Sequence, residues 1–351
     1  MTDVSIRRTG DGLLVVAPAD APTVLDGTPD PDTLVLEVVG GHLTWSLLAG
    51  QATPAAVVDH PDDAQEWLWA VYGEEVALAA AELRPADRHA VELPAPPARP
   101  DLVAKAWRLA YAHWVIRWWP ASTIDGIAAL DRRLLEEEIA TLTEACDALV
   151  DGADAEVPDF APRTADALAR QDDYALAAGG EGDEGGLTLT RGVGGWDWRG
   201  CPPGLVDASE RAVSWEVTRD SGATRVLVRA VAAPDLVPGV PDHLRPRALV
   251  GAAGGADAVL AEIELSLVGD TWIGRGPVDP SPTVAGQVTD VGISVAGFGP
   301  PGFAAPDDTE IRRRVRDLAT ARLARAADAD DTAFDAPLLA EIAAAANDSD
   351  F

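Results

Sequence analysis

Two short segments contain the residue types that dominate protein–protein contacts. Residues 196–199 are Trp-Asp-Trp-Arg in a loop, and residues 312–316 are Arg-Arg-Arg-Val-Arg. Tryptophan and arginine carry much of the binding energy at interfaces, and clustered arginines steer acidic partners. We therefore predict that both segments form one protein-binding face of the second domain. The candidate partner-binding residues are Trp196, Asp197, Trp198, Arg199, Arg312, Arg313, Arg314 and Arg316.

A structural interpretation of these segments stays open. Trp196 and Trp198 then fold inward and close the open end of a sandwich, while the arginines pair with the protein's own acidic side chains.

The glycines before this loop suggest a phosphate-binding loop, because a predicted strand precedes Gly192, Gly194 and Gly195. Such a loop needs a helix N-terminus directly after its glycines. Here Trp-Asp-Trp-Arg-Gly-Cys-Pro-Pro follows, which does not open a helix. We therefore expect no nucleotide cofactor.

Other catalytic patterns are missing from the sequence. The five histidines are scattered singly, without a zinc-type pair, and no Gly-x-Ser-x-Gly elbow occurs. Cys146 falls on an apolar helix stripe and is expected to be buried, whereas Cys201 lies in a Pro-Gly-rich loop and is expected to be exposed. The sequence thus indicates no metal, no cofactor and no catalytic residue.

Residues 113–122, HWVIRWWPAS, contain three tryptophans before a proline. At helical spacing, Trp107, Trp114 and Trp118 share one stripe, which favours burial between a helical hairpin and the N-terminal sheet. A ligand-stacking cleft is the alternative, with His113 and Arg117 at its polar edge.

The elements around these segments indicate an α+β protein. Alternating runs around glycine turns predict four strands in residues 1–50, and helical patterns predict a first helix over residues 60–83, a helical hairpin over 101–120 and 131–151, and a weaker helix over 163–170. We thus predict an N-terminal antiparallel sheet with a helical hairpin in residues 1–170, a Gly/acid linker in residues 171–186, and an antiparallel β-sandwich-like domain with a closing helix in residues 187–351. In the second part, apolar and polar residues alternate between turn signals, as is typical of strands with one buried face.

Composition narrows the classes of partner. The net charge of −31 repels phosphate backbones and anionic membranes, so we expect neither nucleic-acid nor membrane binding. The chain shows no signal-peptide pattern, no apolar run long enough to span a bilayer and only two cysteines, which favours a cytoplasmic location.

Three motifs give the chain a resemblance. RWWPASTIDGIAALDRRLLEEEIATLT, DYALAAG at residues 173–179 and VAGFGPPG at residues 295–302 occur in this order. With them the chain resembles an uncharacterised actinobacterial protein family that accompanies AAA-type ATPase or conflict-system genes. The resemblance implies no established activity and no catalytic residue.

These observations predict a non-catalytic cytoplasmic adaptor or scaffold that binds protein partners and takes no cofactor. The alternative is a hydrolase with a site in the cleft between the domains. A deep cleft that holds His113 or His243 with a carboxylate is the feature expected of that hydrolase. The sequence does not indicate the partner's identity or the oligomeric state.

Overall fold

The computed structural model describes residues 2–27, 31–84, 89–150, 187–237, 239–252, 259–278, 288–299, 302–303, 305–327 and 335–348. Mixed helices and antiparallel sheets confirm the predicted α+β class. None of the helices in these ranges is both long and apolar enough to cross a bilayer.

The chain divides into two compact units that do not follow its order. Unit 1 comprises Met1–Trp119, Leu130–Pro158 and Ile311–Phe351, and unit 2 comprises Pro120–Ala129 and Asp159–Glu310. This division differs from the expected domains because residues 311–351 belong to unit 1. The predicted linker at 171–186 and a weak helix predicted at 163–170 lie outside the described residues.

Unit 1 contains a sheet of six described strands, β1 Asp3–Arg8, β2 Leu14–Ala17, β3 Thr33–Val38, β4 Gly41–Ser46, β5 Ala55–Val58 and β6 Val91–Pro94. Their order is β3-β4-β5-β2-β1-β6, and every pairing is antiparallel. The four strands predicted in residues 1–50 are β1–β4. The sequence pattern does not predict β5, which is buried throughout and so does not alternate, or β6, an edge strand that tolerates a proline.

The first predicted helix is two helices, α1 Pro61–Tyr72 and α2 Glu74–Glu82. Gly73 separates them with φ 89°, a conformation that favours glycine. An added Cβ there would lie 2.6 Å from the carbonyl oxygen of Pro96. The chain therefore turns at this glycine and does not continue as one helix.

The tryptophan stripe lies on α3, Pro100–Trp118, which packs against α4, Arg132–Ala145, and against β3. Trp107 and Trp114 are buried, and the Trp114 Nε1 donates to the carbonyl oxygen of Pro31 at 2.6 Å. Trp118 is only half-buried, with the Arg117 guanidinium 4.2 Å from its ring centroid. The packing interpretation thus holds for the first two rings and only partly for the third.

Unit 2 contains two antiparallel sheets. The strands are β7 Leu187–Gly194, β8 Val213–Asp220, β9 Ala223–Val231, β10 Arg247–Ala252, β11 Val259–Glu264, β12 Ser266–Val268, β13 Thr271–Pro277 and β14 Val288–Ser294. One sheet has the order β12-β13-β9-β8-β7 and the other β11-β10-β14. Only Leu265 separates β11 from β12, so one continuous stretch of chain passes from one sheet to the other.

Two helices end the described chain, α5 Pro306–Ala327 and α6 Leu339–Asp348. The boundary between the units falls within α5, after Glu310. The buried stripe of α5 has helical spacing and consists of Arg312, Val315, Ala319, Arg322 and Ala326.

The buried stripe of α3 generates a stability prediction. Replacing Trp114, which is 4% exposed, with alanine should lower the free energy of unfolding by about 3–5 kcal/mol, because a large cavity forms in the core. Trp69→Ala in α1 is the matched control, since that ring is 45% exposed. Chemical denaturation measures both variants, and equal effects of the two would contradict the packing role of Trp114.

Candidate functional site

The tryptophans of the predicted contact loop are buried. Trp196 is 4% and Trp198 is 5% exposed, and the Trp196 Nε1 donates to the Asp207 carbonyl oxygen at 2.8 Å. Asp197 caps a short 3-10 helix by accepting from the Arg199 amide at 3.0 Å. The expectation that these rings are exposed hot spots is therefore wrong, and the inward-folded alternative is the observed one.

Close backbone packing explains the glycines near this loop. A Cβ on Gly200 would lie 2.8 Å from the Ile293 carbonyl oxygen, and one on Gly299 would lie 2.3 Å from the Arg199 carbonyl oxygen. Only glycine permits such approaches without displacing the neighbouring backbone. The Arg199 guanidinium forms ion pairs with Asp197 and Asp308. Residues 196–200 and Gly299 thus pack closely within unit 2.

Contrary to the predicted domain boundary, the arginine-rich segment belongs to unit 1 and not to the second unit. Arg312 is 1% exposed, since it falls on the buried stripe of α5. Arg313 pairs with Asp317 on the same helix at 2.6 Å, as the structural interpretation predicts. Arg313 and Arg314 are exposed, and Arg316 is half-buried.

A different surface of unit 2 concentrates positive charge. Directly paired residues of antiparallel strands project on the same side of a sheet, so the strand registers define each face. On the outer side of the five-stranded sheet, Glu216 of β8 pairs with Arg191 of β7 and with Leu227 of β9. Ser214 likewise pairs with Val193 and Arg229, and Thr218 pairs with Arg225. On β13, Ile273 pairs with Arg229, and Arg275 pairs with Leu227. We call this side the basic sheet face; its defining residues are Arg191, Val193, Arg225, Leu227, Arg229, Ile273 and Arg275.

The charge balance of the basic sheet face is the reverse of that of the whole chain. The chain has 58 Asp and Glu against 27 Lys and Arg. Among the described positions on this face, the four arginines are accompanied by two carboxylates, Glu216 and Asp220 at the hairpin end. Glu216 accepts from the Thr188 hydroxyl at 2.8 Å, and Asp220 accepts from the Ser221 hydroxyl at 3.0 Å.

The face also presents aliphatic side chains to solvent. Val193 is 61% exposed, and Leu227 and Ile273 are half-buried between the arginines. Arg191, Arg225 and Arg275 are exposed, and Arg229 is half-buried. The opposite side of the sheet forms the core of unit 2 and includes Trp215, Val217, Val226, Val228, Ala230 and Trp272. The basic sheet face thus combines guanidinium groups with exposed apolar surface, the mixture expected of a docking surface.

A second charged cluster lies inside unit 1. The Arg322 guanidinium binds the Glu341 carboxylate in a bidentate manner, with N–O distances of 2.6 and 2.7 Å, and both side chains are buried. Glu341 also accepts from the Tyr111 hydroxyl at 2.9 Å and from the Leu338 amide at 2.6 Å. Burial, followed by the Glu341 charge, raises the pKa of Tyr111 well above its ordinary value.

Aromatic packing and a neighbouring ion pair complete this cluster. The Tyr111 ring stacks between Trp107 and Trp114, with centroid distances of 5.3 and 5.6 Å, and the Arg322 guanidinium lies 4.2 Å from its centroid. Arg108 pairs with Glu138, which also accepts from the Leu339 amide at 2.8 Å. The buried acceptors have protein donors, so the cluster serves as an anchor for α6 and not as a reactive site.

One hydroxyl–carboxylate pair in unit 2 has the residue types of a catalytic pair. The Ser122 hydroxyl donates to Asp207 at 2.7 Å, and Asp207 also accepts from the Thr123 and Ser209 amides. Burial raises the pKa of Asp207 despite these hydrogen bonds. Both side chains are buried. The pair therefore holds residues 120–129 in place and is not accessible to a substrate.

Histidines and cysteines show no reactive grouping in the described ranges. Burial lowers the pKa of His113, and His243 is exposed in a 3-10 turn. Cys146 is buried as predicted, and burial raises its pKa to about 11. Cys201 is also buried, which corrects the expectation of an exposed thiol. No group of three or more potential metal ligands occurs among the residues that the structure describes.

The sequence predictions did not include the basic sheet face, because no run of consecutive arginines marks it. In β9, Arg225, Leu227 and Arg229 occupy the polar phase of an alternating strand, a signal that is visible in the sequence. The contributions of β7 and β13 become apparent only through the register. Comparison with known proteins adds no assignment, since no family model, no curated protein and no solved structure matches the chain.

The buried ion pair generates a second stability prediction. Glu341→Gln should lower the free energy of unfolding by about 3–5 kcal/mol, because the buried Arg322 loses its counter-charge. Asp317→Asn is the matched control, since it breaks an exposed pair within α5 that contributes about 0–1 kcal/mol. Urea unfolding followed by tryptophan fluorescence measures the difference. A Glu341→Gln protein as stable as the control would show that α6 is not anchored by this pair.

Proposed function

We propose that this protein is a non-catalytic cytoplasmic adaptor or scaffold and that it binds a protein partner through the basic sheet face. The single observation that carries the proposal is the reversed charge balance of this face in a chain with a net charge of −31. Here arginines and aliphatic side chains alternate, and arginine is enriched at protein interfaces.

The chemistry of the face favours a protein over a nucleic acid. Single-stranded nucleic acids bind to sheets through exposed aromatic side chains on which the bases stack. Trp215 and Trp272 of this sheet project into the core, and the described outer positions carry aliphatic residues in their place. The acidic remainder of the chain also repels a long polyanion.

Two observations support the cellular setting that we propose. Cys146 and Cys201 are free thiols, as is usual in a reducing compartment. The resemblance to the actinobacterial family suggests a partner from an ATPase-associated or defence system. The hydrolase alternative would require a carboxylate beside His113 or His243, and His243 lies in an exposed 3-10 turn.

Charge reversal tests the adaptor proposal in the native cell. Arg225→Glu combined with Arg275→Glu changes two exposed positions, whereas Arg313→Glu combined with Arg314→Glu is the matched control on α5. Cross-linking and mass spectrometry should recover the partner with the parent and with the control. Recovery should fall about tenfold with the sheet variant, as loss of two charged interface contacts predicts.

Unchanged circular dichroism and melting temperature of the sheet variant establish that it is folded. Equal recovery of the same partners by all three proteins would show that the basic sheet face is not the docking surface. Loss of recovery in the control alone would instead indicate that the arginine-rich helix is the docking site.

A further inference from the structure

We infer that the basic sheet face recognises an extended acidic segment of a partner protein, in which an apolar residue lies between two carboxylates at alternating positions. This inference rests on the proposed function and deepens it, because it assigns the chemistry of the partner. The arrangement of side chains around Leu227 carries it.

Three arginines surround Leu227 on the outer side of the sheet. Arg225 and Arg229 lie two residues before and after it on β9, and Arg275 of β13 is its direct cross-strand partner. Consecutive same-side residues of a strand are about 6.6 Å apart, and directly paired residues are about 5 Å apart. Leu227 is half-buried, so its side chain remains accessible between the guanidinium groups.

An extended peptide has the same repeat as the strand beneath it. Its alternate side chains are about 6.6 Å apart, so carboxylates at positions i and i+4 match the spacing of Arg225 and Arg229. An apolar side chain at i+2 then lies over Leu227. The matching partner motif is acidic-x-apolar-x-acidic, where x denotes a residue that points away from the face.

The fourth neighbour of Leu227 is a carboxylate, so the two sides of the basic sheet face differ in charge. Glu216 of β8 pairs with Leu227 from the side opposite Arg275. An acidic segment is repelled there and attracted above β9 and β13. We therefore expect the segment to lie over β9 and β13, with Arg191 on the far side of Glu216 contributing least.

The apolar centre distinguishes this occupant from a phosphate-rich ligand. A phosphate backbone offers charge but no aliphatic side chain to cover Leu227 and Ile273. A guanidinium group forms bidentate hydrogen bonds with a carboxylate as well as with a phosphate, so charge alone does not separate the two. The aliphatic residues between the arginines favour the acidic-apolar peptide.

Fluorescence polarisation with the full chain tests the inference. The probe is a labelled peptide with the core Glu-Thr-Leu-Thr-Glu, and it is compared with the peptide in which both glutamates are glutamine. A third probe, an oligothymidine of equal length, represents the nucleic-acid alternative. The glutamate peptide should bind at least about tenfold more tightly than either of the other probes, as expected for two charge-assisted contacts.

Matched variants locate the binding. Arg225→Ser with Arg275→Ser should weaken binding of the glutamate peptide about tenfold, and Leu227→Ser should weaken it severalfold. Arg313→Ser with Arg314→Ser on α5 is the control and should bind as the parent does. Equal binding by the sheet variants and the parent would overturn the assignment to this face.

The outcomes separate this inference from the function on which it rests. No binding of the glutamate peptide up to about 1 mM, equal binding of the glutamine peptide, or tighter binding of oligothymidine overturns the acidic-segment inference. If the cellular partner is nevertheless lost with the Arg225→Glu and Arg275→Glu variant, the adaptor proposal stands with a different partner chemistry. Failure of both experiments overturns the acidic-segment inference and the adaptor proposal.

Discussion

The Arg322–Glu341 ion pair is the interaction on which the described core of unit 1 depends most. It lies almost wholly out of water, where an unpaired charge is far more costly than a surface charge. The same carboxylate accepts from Tyr111, whose ring stacks between two tryptophans of α3. One side chain thus joins α3, α5 and the start of α6. Packing of the aromatic stripe and placement of the last described helix are therefore parts of the same arrangement.

Charge is distributed in opposite ways in the interior and on the surface. Inside unit 1, Arg322 pairs with Glu341 and the buried Glu138 pairs with Arg108, whereas the described positions of the basic sheet face carry four arginines and two carboxylates. Screening limits surface attraction to about 8 Å at physiological ionic strength, so the arginines act only on a partner that is already close. The acidic remainder opposes contact elsewhere. An acidic partner is thereby restricted in where it can dock, which favours specificity more than strength.

Local periodicity predicted much of the fold, and contacts distant in sequence account for most of what it missed. The alternation in β8 and the apolar stripe of α4 could be recognised in the sequence because each element has one buried face. The uniformly buried β5 gave no period, and the break at Gly73 depends on the nearby Pro96 backbone. For the candidate site, residue type was a poor guide, because a tryptophan near a glycine-rich loop fits a core as well as an interface. Register, not composition, brings Arg275 beside Leu227.

Unit 1 is built from segments that are far apart in the sequence, and this affects how the chain folds during its synthesis. The Arg108 guanidinium donates to the carbonyl oxygen of Ala336 at 2.8 Å, a contact that spans 228 residues. At a usual elongation rate of about 5–20 residues per second, a ribosome needs roughly 10–50 s to make the intervening chain. During that interval α3 and its aromatic side chains lack their later partners. The nascent protein is therefore most exposed to aggregation before α6 emerges, a period in which chaperone binding is useful.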